Sequence, residues 1–279
     1  MPRYFLEVSY KGTLYSGFQA QENANTVQRE VEKALNILFK PKLIIPGTEE
    51  ADNKEGATHK GMILTGSSRT DAGVHALQNY FHFDSLIPID QWRGIQHAAQ
   101  LVYKMNAILP DDIVVKGVVP VKEEAHCRFD AISRQYSYYI YHKKDPFLKE
   151  RAYYFPYSLD IDRMKEAAAL IKQYTDFTSF SKRNTQVKTF ICQIIESDWE
   201  TTSDGLIYHV KGNRFLRGMV RALTATMLKV GRKSMTLSEF KAVIESRDCT
   251  KASFAVPAHG LTLVSVQYPE GYLGSYRSK

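Results

Sequence analysis

Apolar positions along the chain change period several times, and each change marks an element. Arg3 to Tyr10 (RYFLEVSY) is rich in aromatic and β-branched residues and stops short of Gly12, which predicts a strand. Asn25 and Gln28 stand at capping-box spacing, and Val27, Val31, Ala34, Leu35 and Leu38 then recur at helical spacing as far as Pro41. Gly47 to Lys60 is polar and contains glycine, the pattern of a surface loop or insertion. Met62 to Gly66 and Tyr80 to Phe83 read as strands joined by SSRTDAGVHALQN. Trp92, Ile95, Ala99, Val102 and Met105 mark a second helix behind Asp90, and Ile113 to Val121 is another strand.

The second half repeats that order. Tyr136 to Tyr141 is a strand, and Met164, Ala168 and Ile171 share one helix face. Ile191 to Trp199 and Leu206 to Val210 are strands around a turn at Asp204-Gly205. Phe215 to Val230 reads as a helix ending at Gly231, Thr236 to Glu245 as a helix opened by a Thr-x-x-Glu box, and Leu261 to Tyr268 as the last strand. Two β-α-β-β-α-β halves emerge, each of the ferredoxin-like kind, so the expected fold class is α+β. The boundary is expected near Gly117 to Glu123, giving an N-terminal domain over 1–118 and a C-terminal domain over 119–279.

Composition narrows the partners. Thirty-seven Lys and Arg against 30 Asp and Glu give a net charge of +7, and 44% of residues are hydrophobic, which excludes a disordered chain. With 17 Tyr and 14 Phe, basic side chains interleave with aromatic ones, a mixture suited to phosphate contact and base stacking. Cys127, Cys192 and Cys249 are far apart and form no C-x-x-C pair, which fits a reducing cytoplasm rather than a disulfide framework. Glu7 interrupts the only short apolar stretch of the N-terminus, so no signal peptide is expected. No apolar run reaches the roughly 18 residues of a membrane span.

The densest polar cluster is Ser67-Ser68-Arg69-Thr70-Asp71-Ala72-Gly73-Val74-His75, set between two predicted strands. Arg69 lies two residues from Asp71 and would hold and aim its charge, while Gly73 permits a tight turn and close approach of a substrate. Ordinary turn chemistry accounts for the same letters, since Asp before Ala-Gly is common in turns. The eight His residues show no pair at metal-ligand helical spacing, and no metal is expected. Phosphate loops, nucleophile elbows and dinucleotide fingerprints are absent, leaving nucleotide hydrolysis, serine hydrolysis and redox chemistry without support. Alternation puts Tyr136 and Tyr138 on one face of their strand and Tyr139 and Tyr141 on the other, placed either to stack on a base or to fill the sheet's core. Arg214, Arg217 and Arg221 recur at one-turn spacing as a basic stripe, which Lys182-Arg183 and Arg232-Lys233 enlarge into a possible phosphate-binding surface; a solvated face gives the same pattern.

Several segments together resemble the tRNA pseudouridine synthases of the A type, which act on uridines 38, 39 and 40 of the anticodon stem-loop. They are YKGTLYSGFQAQENANTVQREVEKAL, SRTDAGVHA, NAILPDDIVV, HCRFDAISRQYSYYIY, DFTSF, FLRGMVRAL and GLTLVSVQYP, and they run through nearly the whole chain. The resemblance implies Asp71 as the catalytic aspartate, Arg69 as its neighbouring positioning cation, and Arg221 as an arginine that pairs with it. It further implies that Tyr136 stacks in the uracil pocket and that Leu216 is an apolar wall of that pocket. With an RNA substrate, the basic residues read above, Lys182, Arg183, Arg214 and Arg217, would serve RNA binding. The implied fold joins both halves into one continuous mixed sheet with a central cleft, usually in a homodimer, with tRNA as partner and no cofactor. Ser68 stands where the family commonly has Gly, Phe18 replaces a usual Trp, Ala225 replaces a frequent helix Gly, and Gly47 to Lys60 is an insertion. These departures suggest a divergent branch. Alternatives are therefore the same isomerisation on another tRNA position or on ribosomal RNA, and an RNA-binding or RNA-folding protein without catalysis.

Overall fold

A computed structural model describes residues 1–39, 61–183 and 187–274. Among them the N-terminal half runs β1 (Arg3–Tyr10), α1 (Val27–Leu38), β2 (Thr65–Gly66), β3 (His75–Asp84), α2 (Ala98–Asn106) and β4 (Ile113–Val121). The C-terminal half runs β5 (Ser133–Tyr141), β6 (Tyr153–Tyr154), α3 (Ile161–Leu170), β7 (Ile194–Thr201), β8 (Gly205–Gly212), α4 (Met219–Gly231), α5 (Leu237–Glu245) and β9 (Leu261–Gln267).

All nine strands form one sheet, ordered β4-β1-β3-β9-β5-β8-β7, with β2 on β3 and β6 on β5. Within the N-terminal half the spatial order is β4-β1-β3-β2, and within the C-terminal half it is β9-β5-β8-β7, so both halves have the same ferredoxin-like order. They meet through a short parallel pairing of β3 with β9, His75 opposite Thr262 and Ala76 opposite Leu263. The brevity of β2 makes this possible. It pairs only with Phe81 and His82, and leaves the other end of the same edge of β3 open to β9.

Each half has its own apolar core. Phe5, Leu6, Phe18, Phe81 and Trp92 belong to the first, and Trp199, Tyr208, Met219, Leu223 and Phe240 to the second. Phe18 stacks on Phe81 with ring centroids 4.5 Å apart, so the residue that departs from the family's usual Trp is a core side chain. Ala225 is likewise buried, on α4. Position 118 falls within β4, opposite Leu6, and the connection between the halves begins after Val121.

Several element edges differ from the sequence expectation. β3 starts at His75 rather than Tyr80, taking HALQN out of the expected connection, β5 starts at Ser133 and β7 at Ile194. Four further edges differ for a local reason. The cap of α1 is Thr26, whose hydroxyl accepts from the Arg29 amide, while Gln28 is buried and donates to the Leu64 carbonyl. Asp90 and Trp92 lie on a 3-10 turn and an extended residue, so α2 starts only at Ala98, capped by His97. Only Thr65 and Gly66 of the segment from Met62 pair as a strand. Gly218 adopts a left-handed backbone (φ 75°), which holds the start of α4 back to Met219 and leaves Arg214, Phe215, Leu216 and Arg217 on the preceding loop. The Thr236-Glu239 capping box forms as expected. Gly47 to Lys60 lies outside the described residues.

Candidate functional site

The Asp71 loop, Ser67 to Val74, is held in place by buried hydrogen bonds before any charge is considered. A register shift in β1 between Val8 and Tyr10 brings Tyr10 under the loop, where its hydroxyl pairs with Thr70 Oγ1 at 2.8 Å. Asn79, fully buried on β3, is the hub. Its Oδ1 accepts from Ser67 Oγ (2.7 Å) and its own strand neighbour Tyr80 N, and its Nδ2 donates to Ser68 O (2.9 Å) and Tyr10 OH (3.2 Å). The Thr70 carbonyl accepts from Phe18 N, and Val74 N closes a turn onto Asp71 O at 3.2 Å. A satisfied network of this kind fixes backbone position because breaking any member leaves others unpaired in the interior.

Asp71 faces the C-terminal half. Its Oδ1 lies 3.8 Å from Arg217 Nε and its Oδ2 3.8 Å from Arg221 Nη1. Both separations exceed hydrogen-bond length, so the carboxylate has charge partners while its lone pairs remain uncommitted to them. The two arginines differ. Arg221 is largely buried on α4, with Nε and Nη2 donating to Val256 O at 3.1 and 2.7 Å, whereas the Arg217 side chain is 62% exposed. Arg69 is exposed and makes no ion pair with Asp71 among the described residues; the cations that meet the carboxylate come from the other half of the molecule.

Tyr136 is half-buried on β5, beside a register shift against β9 that re-aims the strand, and its ring sits edge-on to Phe215 at 5.3 Å. Burial pushes its phenol up to about 12, reinforced by the negative charge of Asp71 and opposed by Arg134, so the hydroxyl is neutral at physiological pH. Leu216 is buried in the second core behind this loop. Lys182 donates its amide to Arg217 O at 3.0 Å and lays its side chain over Gly218. Arg183 is exposed and acts on Asp248, with no contact to Asp71.

Two site residues had no signal in the sequence pattern: Arg128 and Arg134. Arg134 donates to the carbonyls of Ala131 and Asn213 (both 2.9 Å) and to that of Arg128, tying the start of β5 to the loop that carries Arg217. Burial lowers the pKa of Arg128, and the charges of Arg69, Arg134 and Arg214 lower it further. These four guanidinium groups converge from both halves, and no carboxylate pairs with any of them among the described residues. Such a cluster repels itself until an anion arrives.

The fold also gathers His82 with His126 and Cys127, which linear spacing did not show; their donor atoms lie within 4.8 Å of one another. Hydrogen bonds engage one of these atoms on each residue. Cys127 Sγ donates to Thr65 O at 3.1 Å, His82 Nδ1 accepts from Cys127 N, and His126 Nδ1 accepts from Arg128 N and Phe129 N. Burial pushes the thiol up to about 12 and His82 down to about 4, which makes this a buried polar knot rather than a poised thiolate. No described helix is long and apolar enough to cross a membrane.

The fold and comparison with known families define the class as pseudouridine synthase: residues 174–269 match the family model described as tRNA pseudouridine synthase. Likeness to curated proteins runs over almost the whole chain. The tRNA pseudouridine synthase A of Parabacteroides distasonis is 43% identical over 270 residues, covering 97% of this chain and 97% of the relative. That of Azobacteroides pseudotrichonymphae is 37% identical over 269 residues (96% and 98%), and that of Bacillus subtilis 37% over 265 residues (94% and 97%). The chain belongs to the tRNA pseudouridine synthase A family.

Proposed function

We propose that this protein converts uridine to pseudouridine at positions 38 to 40 of the tRNA anticodon stem-loop, with Asp71 as the catalytic carboxylate. The observation that carries the reading is Asp71, presented by one half of the molecule, opposite Arg217 and Arg221 of the other at 3.8 Å. The reaction breaks the bond from ribose C1′ to uracil N1, turns the detached base in place and joins C1′ to C5. N1 gains a proton and C5 loses one. Asp71 either attacks the ribose or takes its 2′ proton, and Arg221, pinned to the Val256 carbonyl, holds a fixed positive charge beside it.

Tyr136, a neutral phenol at the floor of the cleft, keeps the loose uracil stacked, and Leu216 backs the pocket wall. The uridine must leave its stack to reach Asp71, and exposed Arg69 on the same loop fills the vacated space. Arg128, Arg134 and Arg214 take the RNA backbone beside the site, with Lys182, Arg183 and Arg217 extending the surface. In this reading the N-terminal half supplies the aspartate loop and the C-terminal half the tyrosine and the basic loop. The chain acts as a cytoplasmic homodimer without cofactor, in keeping with three free cysteines.

The test is pseudouridine mapping by carbodiimide-blocked primer extension on RNA from cells lacking the gene, complemented with wild type or Asp71→Ala. Loss of signal at uridines 38 to 40, restored only by the wild type, is the expected result. Loss at another position moves the substrate and keeps the chemistry; no loss at any position overturns the reading.

A further inference from the structure

His75 ends the Asp71 loop and begins β3, yet the chemistry above leaves it no task. Its surroundings are unusual. The ring is buried at the joint between the halves, and every polar atom on it is taken by backbone from a different segment. Gly12 N, just after β1, donates to Nδ1 at 2.9 Å. Nε2 lies 2.9 Å from Glu150 O, between β5 and β6, and 3.0 Å from His259 O, ahead of β9. Carbonyl oxygens only accept and an amide only donates, so the geometry admits one form of the ring: neutral, with the proton on Nε2.

The contacts make a clasp. Gly12 belongs to the N-terminal half, and Glu150 and His259 to the C-terminal half. Among the described residues the only strand pairing between the halves, His75 opposite Thr262 and Ala76 opposite Leu263, starts at this residue. Val74, its chain neighbour, is buried in the apolar core of the C-terminal half. Gly12 approaches so closely that a Cβ there would lie 2.0 Å from Val74 O, a position no other residue could occupy without displacing the loop. On the surface above, Lys11 and Glu150 form an ion pair across the same seam.

We propose that His75 is a positioning residue: its Nε2-protonated ring clasps the two halves and thereby sets the separation between Asp71 and the arginines that face it. The proposal rests on the reading of Asp71 as the catalytic carboxylate. Arg217 and Arg221 stand on the C-terminal half and Asp71 four residues before His75, so slack in the clasp passes directly into those two 3.8 Å distances. A displacement of about 1 Å at such a centre costs about 100-fold in rate.

Acid opens the clasp. A second proton would go to Nδ1 and point at the Gly12 N–H, replacing an acceptor by a donor. Burial lowers the His75 pKa below its ordinary value, and the facing charges of His259 and Lys11 lower it further, while the hydrogen bonds to Glu150 and His259 oppose them. The charged or titratable groups packed around the ring are Lys11 after β1, Glu150 beyond β5 and His259 before β9; His259 is itself lowered by burial. With the folded value depressed, the unfolded chain binds the proton first. The stabilisation is therefore complete above about pH 6.5 and is lost as pH falls below it toward the folded value.

The experiment measures single-turnover pseudouridine formation on a tRNA transcript from pH 5.5 to 8.5 for the full-length wild type, His75→Ala, His75→Gln and Asp71→Ala. RNA affinity and ring nitrogen shifts of the labelled proteins are measured alongside. His75→Ala is expected to lose about 10- to 100-fold in rate with RNA affinity within about 3-fold. His75→Gln, whose amide accepts and donates at any pH, recovers most of the rate at neutral pH and flattens the acid limb. The wild-type ring shows the neutral Nε2-protonated shifts at pH 7, unchanged in Asp71→Ala. A wild-type rate in His75→Ala, a loss confined to RNA affinity, an acid limb identical in His75→Gln, or a ring protonated on Nδ1 each overturns the proposal. If His75→Ala fails to fold, the Gln profile and the nitrogen shifts still decide. Full activity of Asp71→Ala would instead overturn the reading of Asp71, with the clasp judged separately by the shifts.

Discussion

The two halves share one strand order, and one pair of corresponding loops differs sharply between them. In the C-terminal half the connection from β7 to β8 is a three-residue turn, Thr202 to Asp204, closed by Thr202 N to Gly205 O. In the N-terminal half the corresponding connection, β2 to β3, is the eight-residue Asp71 loop. The C-terminal half is specialised one connection later, between β8 and α4, where Arg214 to Gly218 bring Arg217 to Asp71 and Phe215 to Tyr136. A repeated scaffold thus supplies two faces, and the chemistry sits where each repeat departs from the other. The loops differ in stiffness as well: Asn79, Tyr10 and Thr70 lock the carboxylate's loop from below, while the Arg217 side chain is mostly in solvent. A fixed anion therefore faces one fixed and one adaptable cation.

Removing the anion is the most severe way to break that arrangement. Asp71→Ala should lower single-turnover rate by about 10⁴-fold or more, with RNA affinity within about 3-fold, since binding rests on the arginine clusters. A filter-binding titration beside the rate measurement separates the two effects. The cations should rank by how firmly they are held. Arg221→Ala removes a buried guanidinium and strands the Val256 carbonyl, and about a 100-fold loss in rate is expected, against about 10-fold for the exposed Arg217. Equal losses would show that the pinning of Arg221 to Val256 does not matter.

Stiffness of the anion's loop is open to the same treatment. Asn79→Ala leaves Ser67, Ser68, Tyr80 and Tyr10 each short of a partner in the interior, and a destabilisation of about 2 to 3 kcal/mol follows. Urea unfolding should show it as a lower midpoint at unchanged slope. Its counterpart in the C-terminal half is milder. Arg128→Ala should weaken RNA binding several-fold and reduce the salt dependence of log K by about one unit, measured from 50 to 200 mM salt.

Much of this was legible in the sequence, for reasons that also explain what was not. β1 and β4 have the bounds their patterns predict, because β-branched and aromatic runs between turn residues have few alternative states. The SSRTDAGVH segment stood out since so many polar groups between two strands need a purpose. The helical period, however, continues through Gly218, so Arg214 and Arg217 read as a helix stripe when a left-handed residue had put them on a loop. Arg69 reads as the partner of Asp71 by proximity in sequence, yet the carboxylate meets cations nearly 150 residues away. Arg128 and Arg134 lie around a turn with no periodicity to mark them, and His82 on β3 meets His126 and Cys127, on the connection after β4, only in the folded chain. Contacts between distant segments are set by packing, which the local pattern does not encode.

The smallest expected effect concerns Ser68, the residue in place of the family's common glycine. Its side chain points inward, not toward RNA: it is buried, and its hydroxyl has no hydrogen-bond partner. An unpaired buried hydroxyl costs about 1 to 3 kcal/mol relative to a satisfied one, and removing it while keeping the Cβ relieves that cost without opening a cavity larger than one atom. Ser68→Ala should therefore raise the thermal midpoint by about 2 to 4 °C with rate and RNA affinity unchanged, as read by calorimetry and single turnover. Ser68→Gly should gain less, because the added freedom of the unfolded chain offsets about 0.5 to 1 kcal/mol of the relief. A lower midpoint in Ser68→Ala would mean that the hydroxyl serves the loop's network after all, and that the N-terminal half is stiffened at one more point than its hydrogen bonds show.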